Sequence, residues 1–298
     1  MKLGRVITAM VTPFDEKGKV DHEQLKPLID TLITRGTEGI VIGGTTGESA
    51  TLSMQEKADL YRAGVEAAAG RIPVIAGTGM NDTHATAELS RQAEKDGVDG
   101  VMLVAPYYNK PSQQGMYEHF RAIAEKIDIP VMIYNVPGRT MVNILPETTI
   151  ALSHIPNITA VKEASGNLDQ MSAIIAGTSH DFQVYSGDDS LTLPAAAVGA
   201  DGIVSVSSHI IGSEMQEMLR HYHDGRTEQA AALHRKLVPF MHAMFLAPSP
   251  TPVKTALSMQ GVQVGGVRLP LIPLNEEERR LVSEAMDAVT GINPTHLR

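Results

Sequence analysis

The chain has 298 residues, no cysteine and a formal net charge of −9 at pH 7. The lack of cysteine excludes a fold held by disulfides, and the acidic balance argues against nucleic acid as the main partner, since it leaves no basic surface for phosphates. The amino terminus, MKLGRVITAM, has no long apolar signal segment, and the apolar runs are shorter than the ~18 residues of a membrane span, so we expect a cytoplasmic protein that acts on small molecules.

Eight short apolar runs rich in valine and isoleucine recur along the chain. They are almost continuously apolar rather than alternating with polar residues, which is typical of strands buried on both faces of a parallel sheet. In chain order they begin at Arg5, Gly39, Pro73, Gly100, Pro130, Ile158, Phe182 and Gly202, and they read RVITAMV, GIVIGG, PVIAG, GVMLVAP, PVMIYNV, ITAVK, FQVYSG and GIVSVSS.

The segments between these runs have helical spacing and helix-boundary residues. Ser53 with Glu56 has the pattern of an N-terminal capping box. The tetrapeptides GTEG, GVDG and GADG, at 36–39, 97–100 and 199–202, each provide a glycine for a helix end, a turn and the start of a strand. Eight such units predict an α/β protein with a closed (β/α)8 TIM barrel, which we favour over an open doubly wound sheet.

After residue 224 the pattern changes to helices alone. The helical segments HRKLVPFMHAMFLA and NEEERRLVSEAMDAVTG are separated by the proline-rich stretches APSPTPVK and RLPLIP. Neither a low-complexity tract nor a flexible glycine/serine linker precedes them. We therefore expect a barrel at 1–224 and a C-terminal helical region at 225–298 that is docked on it.

In barrel enzymes the active site lies where the strands end and the following loops begin. Lys162 ends the run ITAVK, where burial inside a barrel would lower the pKa of its ammonium group and favour the free amine that forms a Schiff base with a carbonyl. The alternative is a lysine that leans outward and keeps its charge in solvent. The residues at the strand ends are Thr12, Thr45, Thr46, Glu48, Tyr107, Tyr108, Tyr134, Asn135, Arg139, Lys162, Glu163, Asp188 and Ser207.

Other strand ends carry groups that suit a carboxylate substrate. Tyr134 can carry a proton and Arg139 presents a planar fork that matches a carboxylate; the alternatives are a packed tyrosine and a surface salt bridge. The turn GGTTGE at 43–48 combines the hydroxyls of Thr45 and Thr46 with glycines whose N–H groups can point into an anion site. Barrels usually bind phosphate at the loops after strands 7 and 8, which here read SGDDS and SVSSH. Phosphate fits less well, because Asp188 and Asp189 would repel it. We expect a small oxo acid.

Five motifs at predicted strand ends together resemble the dihydrodipicolinate synthase family of class I pyruvate aldolases. They read GTTGES, PYYNKPSQQG, YNVPGRT, VKEASGN and SGDD, from Gly44, Pro106, Tyr134, Val161 and Ser186, and the resemblance runs along the whole chain. It implies a Schiff base between Lys162 and pyruvate, addition of the resulting enamine to L-aspartate 4-semialdehyde, and cyclisation to 4-hydroxy-tetrahydrodipicolinate on the way to diaminopimelate and lysine. It implies neither a cofactor nor a metal.

The resemblance also implies a proton relay and a subunit arrangement. Thr45, Tyr134 and Tyr108 would form the relay, with Tyr108 reaching in from a neighbouring subunit. The active unit would then be at least a dimer, and the family commonly forms a tetramer built as a dimer of dimers.

Four further residues are implied to bind the substrates. Thr46 and its neighbour would hold the pyruvate carboxylate, Arg139 would hold that of the aldehyde, and Gly187 and Ile203 would line the pocket through backbone groups. N-acetylneuraminate lyases and keto-deoxy sugar acid aldolases share the lysine, tyrosine and GxTGE elements and are the alternative. The arginine in NVPGRT favours the synthase.

Two other classes of function are disfavoured. A metal-dependent barrel enzyme would need several histidine or carboxylate ligands at the strand ends, whereas only His209 lies just past a predicted strand. A non-catalytic relative could dispense with the reactive lysine, yet this lysine and its tyrosine, threonine and arginine are all present.

One departure from the family pattern concerns regulation. Members inhibited by L-lysine bind it at a subunit interface through an acidic side chain, imidazoles, a tyrosine and an asparagine. Met54 and Lys57 stand here where sensitive bacterial enzymes carry histidines, and Ala85 stands where they carry glutamate. An ammonium group of the ligand would be desolvated without its carboxylate partner. We expect weak or no feedback by lysine, although Tyr107 and Asn81 are retained.

Overall fold

Eight parallel strands close into a barrel. The computed structural model describes residues 3–290, so Met1, Lys2 and residues 291–298, the end of the predicted helical region, lie outside the described residues. Each strand pairs with the next in chain order and the eighth pairs with the first, which confirms the predicted TIM barrel. The strands are β1 Val6–Ala9, β2 Gly39–Ile42, β3 Val74–Gly77, β4 Gly100–Val104, β5 Val131–Asn135, β6 Ile158–Glu163, β7 Gln183–Ser186 and β8 Gly202–Ser205.

The strands are buried on both sides, as their continuous apolar sequences predict. Alternate residues point into the barrel and out toward the helices. In β5, Tyr134 belongs to the apolar cluster inside the barrel, whereas Ile133 packs in the larger cluster beneath the helices. In β6, Ala160 lies in the inner cluster, so Lys162, two residues later, faces the interior as well.

Helices alternate with the strands around the outside of the barrel, and the last three follow it in the chain. They are α1 Leu25–Thr34, α2 Met54–Ala68, α3 Thr83–Lys95, α4 Gln113–Ala124, α5 Pro137–Thr140, α6 Pro146–Leu152, α7 Leu168–Gly177, α8 Thr192–Ala197, α9 Ser208–His223, α10 Thr227–Ala243, α11 Thr251–Met259 and α12 Glu276–Thr290. Ser53 and Glu56 form the predicted capping box at the start of α2. Gly36 and Gly97 have positive φ after α1 and α3, the conformation that a glycine at a helix end supplies.

The chain after α9 packs back onto the barrel. Helix α10 contacts both α9 and α12. Leu233, Leu237 and Phe240 of α10 are fully buried, and they belong to the same hydrophobic cluster as the outer faces of the strands. The described part of the helical region therefore shares one core with the barrel. Within residues 3–290, every helix is too short or too polar to cross a lipid bilayer.

Candidate active site

Lys162 is the fifth residue of β6 and lies inside the barrel near the ends of the strands. In strand register it pairs with Tyr134 of β5 and Tyr185 of β7. It is 5% exposed, so the alternative of a lysine that leans out into solvent is wrong. Burial lowers the pKa of its ammonium group to about 8; the negative charge of Asp189 opposes this effect and the positive charge of Arg139 adds to it.

The chemical state of Lys162 differs from that of Lys254, a second buried lysine. Burial lowers the pKa of both to about 8. The ammonium nitrogen of Lys254 lies 2.9 Å from the Glu48 carboxylate and donates to the carbonyl of Gly266 at 2.6 Å. That of Lys162 lies 4.3 Å from the centroid of the Tyr134 ring and makes no hydrogen bond or ion pair with any residue among 3–290. Lys162 can therefore lose its proton without giving up an ion pair.

Gly187, directly after β7, provides space that Lys162 occupies. A Cβ atom at this position would lie 2.9 Å from Cε of Lys162 and 2.7 Å from Cβ of Ala164. The N–H of Gly187 donates to the carbonyl of Glu163 at 2.8 Å and holds the loop against β6. The absence of a side chain at Gly187 thus lets the lysine pass close to the loop backbone.

Tyr134 presents its phenol beside the lysine. It is buried, and burial raises the pKa of its phenol to about 12, while the positive charge of Arg139 and a hydrogen bond with the Thr45 side chain act in the opposite direction. The phenol is therefore protonated at neutral pH and can donate a hydrogen bond. Thr45 is exposed at the end of β2, so the pair connects the buried lysine with the open end of the barrel.

The GGTTGE turn follows β2 in a tightly bonded conformation. Gly43 has a φ of +62°, and the N–H of Glu48 donates to the carbonyl of Thr45 at 3.0 Å. The Thr12 hydroxyl, from the end of β1, donates to the carbonyl of Gly47 at 2.6 Å. Both bonds use carbonyl groups of the turn, those of Thr45 and Gly47, as acceptors. Its backbone shape suits the anion site that the sequence predicts.

The two residues predicted to act from loops are both exposed. Arg139 lies in α5, immediately after β5, and forms no ion pair within residues 3–290, so the alternative of a surface salt bridge finds no partner there. Its charge nevertheless acts on the pKa values of both Lys162 and Tyr134. Tyr108 is 88% exposed, and its φ of +75° is unusual for a residue with a side chain.

The remaining predicted binding residues occupy different layers. Thr46 is buried in the turn, next to Thr45. Ile203 in β8 directs its side chain into the core beneath the helices, and its N–H donates to the carbonyl of Arg5 at 2.8 Å. Only its backbone can therefore face the barrel interior, as the resemblance implies.

Asp189 is a site residue that sequence reasoning considered only as a charge repelling phosphate. It follows β7, is buried, and accepts hydrogen bonds from the N–H groups of Val206 and Ser207 at 3.2 and 2.8 Å. Burial raises the pKa of its carboxyl group, and its charge in turn raises the pKa of Lys162. The only sequence signal was the paired aspartate of SGDD.

Glu48 was a strand-end candidate, but its carboxylate is not free to meet a substrate. It is buried and paired with Lys254 of α11, a residue that the sequence reading did not single out. The available signal was a single lysine among the apolar residues of TPVKTALS.

The histidine at the end of a strand has structural partners. His209 is fully buried, its Nδ1 lies 2.8 Å from the carbonyl of Val206, and its Nε2 accepts from the N–H of Val11 at 3.1 Å. Between residues 3 and 290, histidine, aspartate and glutamate form no group of three or more that could hold a metal ion.

Known proteins resemble this chain over nearly its whole length. Its sequence matches the profile of the Dihydrodipicolinate synthetase family over residues 2–289. A 4-hydroxy-tetrahydrodipicolinate synthase of Bacillus velezensis is 58% identical, with 96% of this chain and 99% of that protein covered. The crystal structure of a dihydrodipicolinate synthase from Bacillus anthracis is 56% identical and superimposes with a TM-score of 0.96, covering 98% of this chain and 99% of the other.

A more distant structure adds a bound ligand to the comparison. The synthase of Cyanidioschyzon merolae, solved with lysine bound, is 45% identical, has a TM-score of 0.95, and is covered over 97% of this chain and 99% of its own. The matched profile, the sequence identity and the shared barrel lead to one conclusion. The chain belongs to the dihydrodipicolinate synthetase family.

Proposed function

We propose that this enzyme condenses pyruvate with L-aspartate 4-semialdehyde to 4-hydroxy-tetrahydrodipicolinate, through a Schiff base at Lys162. The observation that carries the proposal is a buried lysine with a pKa of about 8 and no ion-pair partner within residues 3–290. The names of its relatives favour this reaction over that of a sugar-acid aldolase. The covalent lysine adduct takes the place of a cofactor.

The first half of the reaction activates pyruvate. The free amine of Lys162 adds to the keto carbon, and loss of water leaves a protonated imine. Thr46 and the N–H groups of the GGTTGE turn hold the carboxylate. The charge of Asp189, which raises the pKa of Lys162, also stabilises the cationic imine. Transfer of a proton from the methyl group to the relay of Tyr134 and Thr45 then gives the enamine.

The second half forms the carbon–carbon bond. The enamine carbon attacks the aldehyde carbon of the second substrate, and the aldehyde oxygen takes a proton from the relay of Tyr134 and Thr45. Arg139 binds the carboxylate of this substrate, and backbone groups of Gly187 and Ile203 line the pocket. Attack by the amino group of the substrate on the former keto carbon releases Lys162 and closes the ring.

Tyr108 supplies the third member of the relay to a neighbouring subunit. A phenol that is 88% exposed and held at a positive φ is poorly accounted for by one chain alone. We infer a homotetramer, built as a dimer of dimers, in the cytoplasm. A mixed oligomer carrying Tyr108→Phe and Lys162→Ala on different chains tests this directly. Activity that depends on which chain carries each substitution supports a role in trans.

Borohydride trapping tests the covalent step. Borohydride reduction of the protein in the presence of pyruvate should add one adduct to the peptide that contains Lys162. Lys162→Ala should lose both the adduct and nearly all turnover. A label on another lysine in active protein would contradict the mechanism. Parallel assays with L-aspartate 4-semialdehyde and N-acetylmannosamine as acceptors distinguish the synthase from the sugar-acid aldolase.

A further inference from the structure

A buried ion pair links the GGTTGE turn to the C-terminal helical region. Oε1 of Glu48 lies 2.9 Å from Nζ of Lys254, and the two side chains are 1% and 3% exposed. Glu48 is two residues after Thr46, whereas Lys254 lies on α11, outside the eight βα units. Neither side chain has a part in the proposed chemistry, so the pair must be explained in another way.

The backbone at Glu48 requires such an anchor. Its φ of +56° and ψ of +37° place it in the left-handed region, which is unfavourable for a residue with a side chain. In this conformation its N–H closes the turn on the carbonyl of Thr45, and its own carbonyl accepts from the N–H of Thr51 at 2.9 Å. The position of the carboxylate is therefore coupled to the path of the chain through Thr45 and Thr46.

Both ends of the ion pair are held by further contacts. The Lys254 ammonium lies 4.1 Å from the centroid of the Phe14 ring and donates to Gly266. The second oxygen of Glu48 accepts from the N–H of Arg268 at 2.9 Å. The Arg268 guanidinium lies 4.4 Å from the same Phe14 ring and donates to the carbonyl of Thr51 at 2.8 Å. Lys254 and Arg268, which belong to two separate C-terminal segments, thus bind the Glu48 carboxylate of the turn.

We propose that Glu48 and Lys254 are positioning residues that hold Thr45 and Thr46 in place for the pyruvate carboxylate, which makes the C-terminal helical region part of the binding site. This inference rests on the proposed function, because it assumes that the turn binds pyruvate. The pair is matched in charge, so removing one partner leaves the other buried and uncompensated, whereas removing both leaves a neutral contact. A distorted turn would weaken pyruvate binding before it affected the aldehyde, which Arg139 holds from another loop.

A double-mutant cycle with Glu48→Gln and Lys254→Met tests the coupling, and each substitution nearly preserves side-chain size. Each single variant should raise KM for pyruvate about tenfold, equivalent to ~1.4 kcal/mol of binding, with a much smaller change in KM for the aldehyde. The double variant should recover part of the loss. Glu217→Gln is the matched control: it makes the same chemical change to a carboxylate that pairs with His221 at 3.0 Å near the end of α9. The ends of the barrel helices lie on the face opposite the active site, so pyruvate KM should stay unchanged.

Failure of this inference can be distinguished from failure of the proposed function. Folded Glu48→Gln protein with an unchanged KM for pyruvate would overturn the inference, as would equal effects on both substrates. If Glu48→Gln does not fold, Glu48→Asp keeps the charge but shortens the reach, and a normal pyruvate KM in that variant would be just as damaging. Failure of the unsubstituted protein to form a borohydride-trapped adduct would instead refute the proposed function itself.

Discussion

Replacing Lys162 by methionine should stabilise the protein while abolishing its activity. The pKa of about 8 means that the folded protein holds a buried ammonium group at neutral pH at a cost, relative to the unfolded chain, where the lysine has its ordinary value of 10.5. At 1.36 kcal/mol per pKa unit the difference corresponds to ~3 kcal/mol. Methionine has a similar length and no charge, so Lys162→Met should gain on the order of this amount at pH 7.

The difference in stability between Lys162→Met and the unsubstituted protein should depend on pH. Below about pH 8 both states carry the proton, and the full cost of the buried charge is present. Between about pH 8 and 10.5 the folded state loses its proton first, so the stability of the unsubstituted protein rises with pH relative to the variant. Above this window both states are neutral and the difference should disappear.

Urea unfolding of both proteins from pH 7 to 11 measures the effect, and Lys254→Met is the matched control. Lys254 has the same lowered pKa, but its removal leaves Glu48 buried without a cation, so that variant should lose ~3 kcal/mol at pH 7. A destabilised Lys162→Met, or a gain that is as large at pH 11 as at pH 7, would refute the reasoning.

Four further predictions concern the site and its regulation. Arg139→Ala should raise the pKa of Lys162, so that pyruvate binding is lost at a higher pH as the solution is acidified, whereas Asp189→Asn should lower this pKa and shift the loss of binding to lower pH. Shifts in the same direction would contradict the charge assignment. Arg139→Ala should also raise KM for the aldehyde much more than KM for pyruvate, because the aldehyde would lose ~2 kcal/mol or more of binding free energy. Gly187→Ala should cost ~1–3 kcal/mol of stability by overpacking and should lower kcat by displacing Lys162, and a fully active variant would show that the loop yields instead. L-Lysine should not inhibit, because Ala85 provides no carboxylate for it; half-inhibition below about a millimolar in a steady-state assay would show that another residue does.

The surroundings of Asp82 and Lys57 both disfavour a bound L-lysine. Asp82, three residues before Ala85 in the chain, already accepts from the N–H of Ala85 at 2.6 Å as the cap of α3. Lys57 is buried with its pKa lowered by burial, and within residues 3–290 it forms no ion pair. A ligand ammonium placed beside it would add a second positive charge to an already unfavourable one.

The sequence alone was sufficient to predict the barrel and the lysine that lies buried inside it. Strands buried on both faces must be continuously apolar, so eight such runs with helices between them predict eight parallel strands. A lysine at the end of one of those runs, at an even spacing from the inward-facing Ala160, then faces the interior. These inferences succeed because they depend on periodicity and burial, which are properties of neighbouring residues.

What only the tertiary structure decided is which charges meet. Lys162 and Lys254 both lie in apolar sequences and have the same lowered pKa. Among residues 3–290 Lys162 has no ion-pair partner, whereas Lys254 is bound to Glu48, more than two hundred residues earlier in the chain. Likewise, Asp189 rather than Glu48 is the carboxylate that acts on Lys162. The charge and reactivity of a buried group depend on neighbours brought together through space by closure of the barrel, and local spacing along the chain carries no record of those pairings.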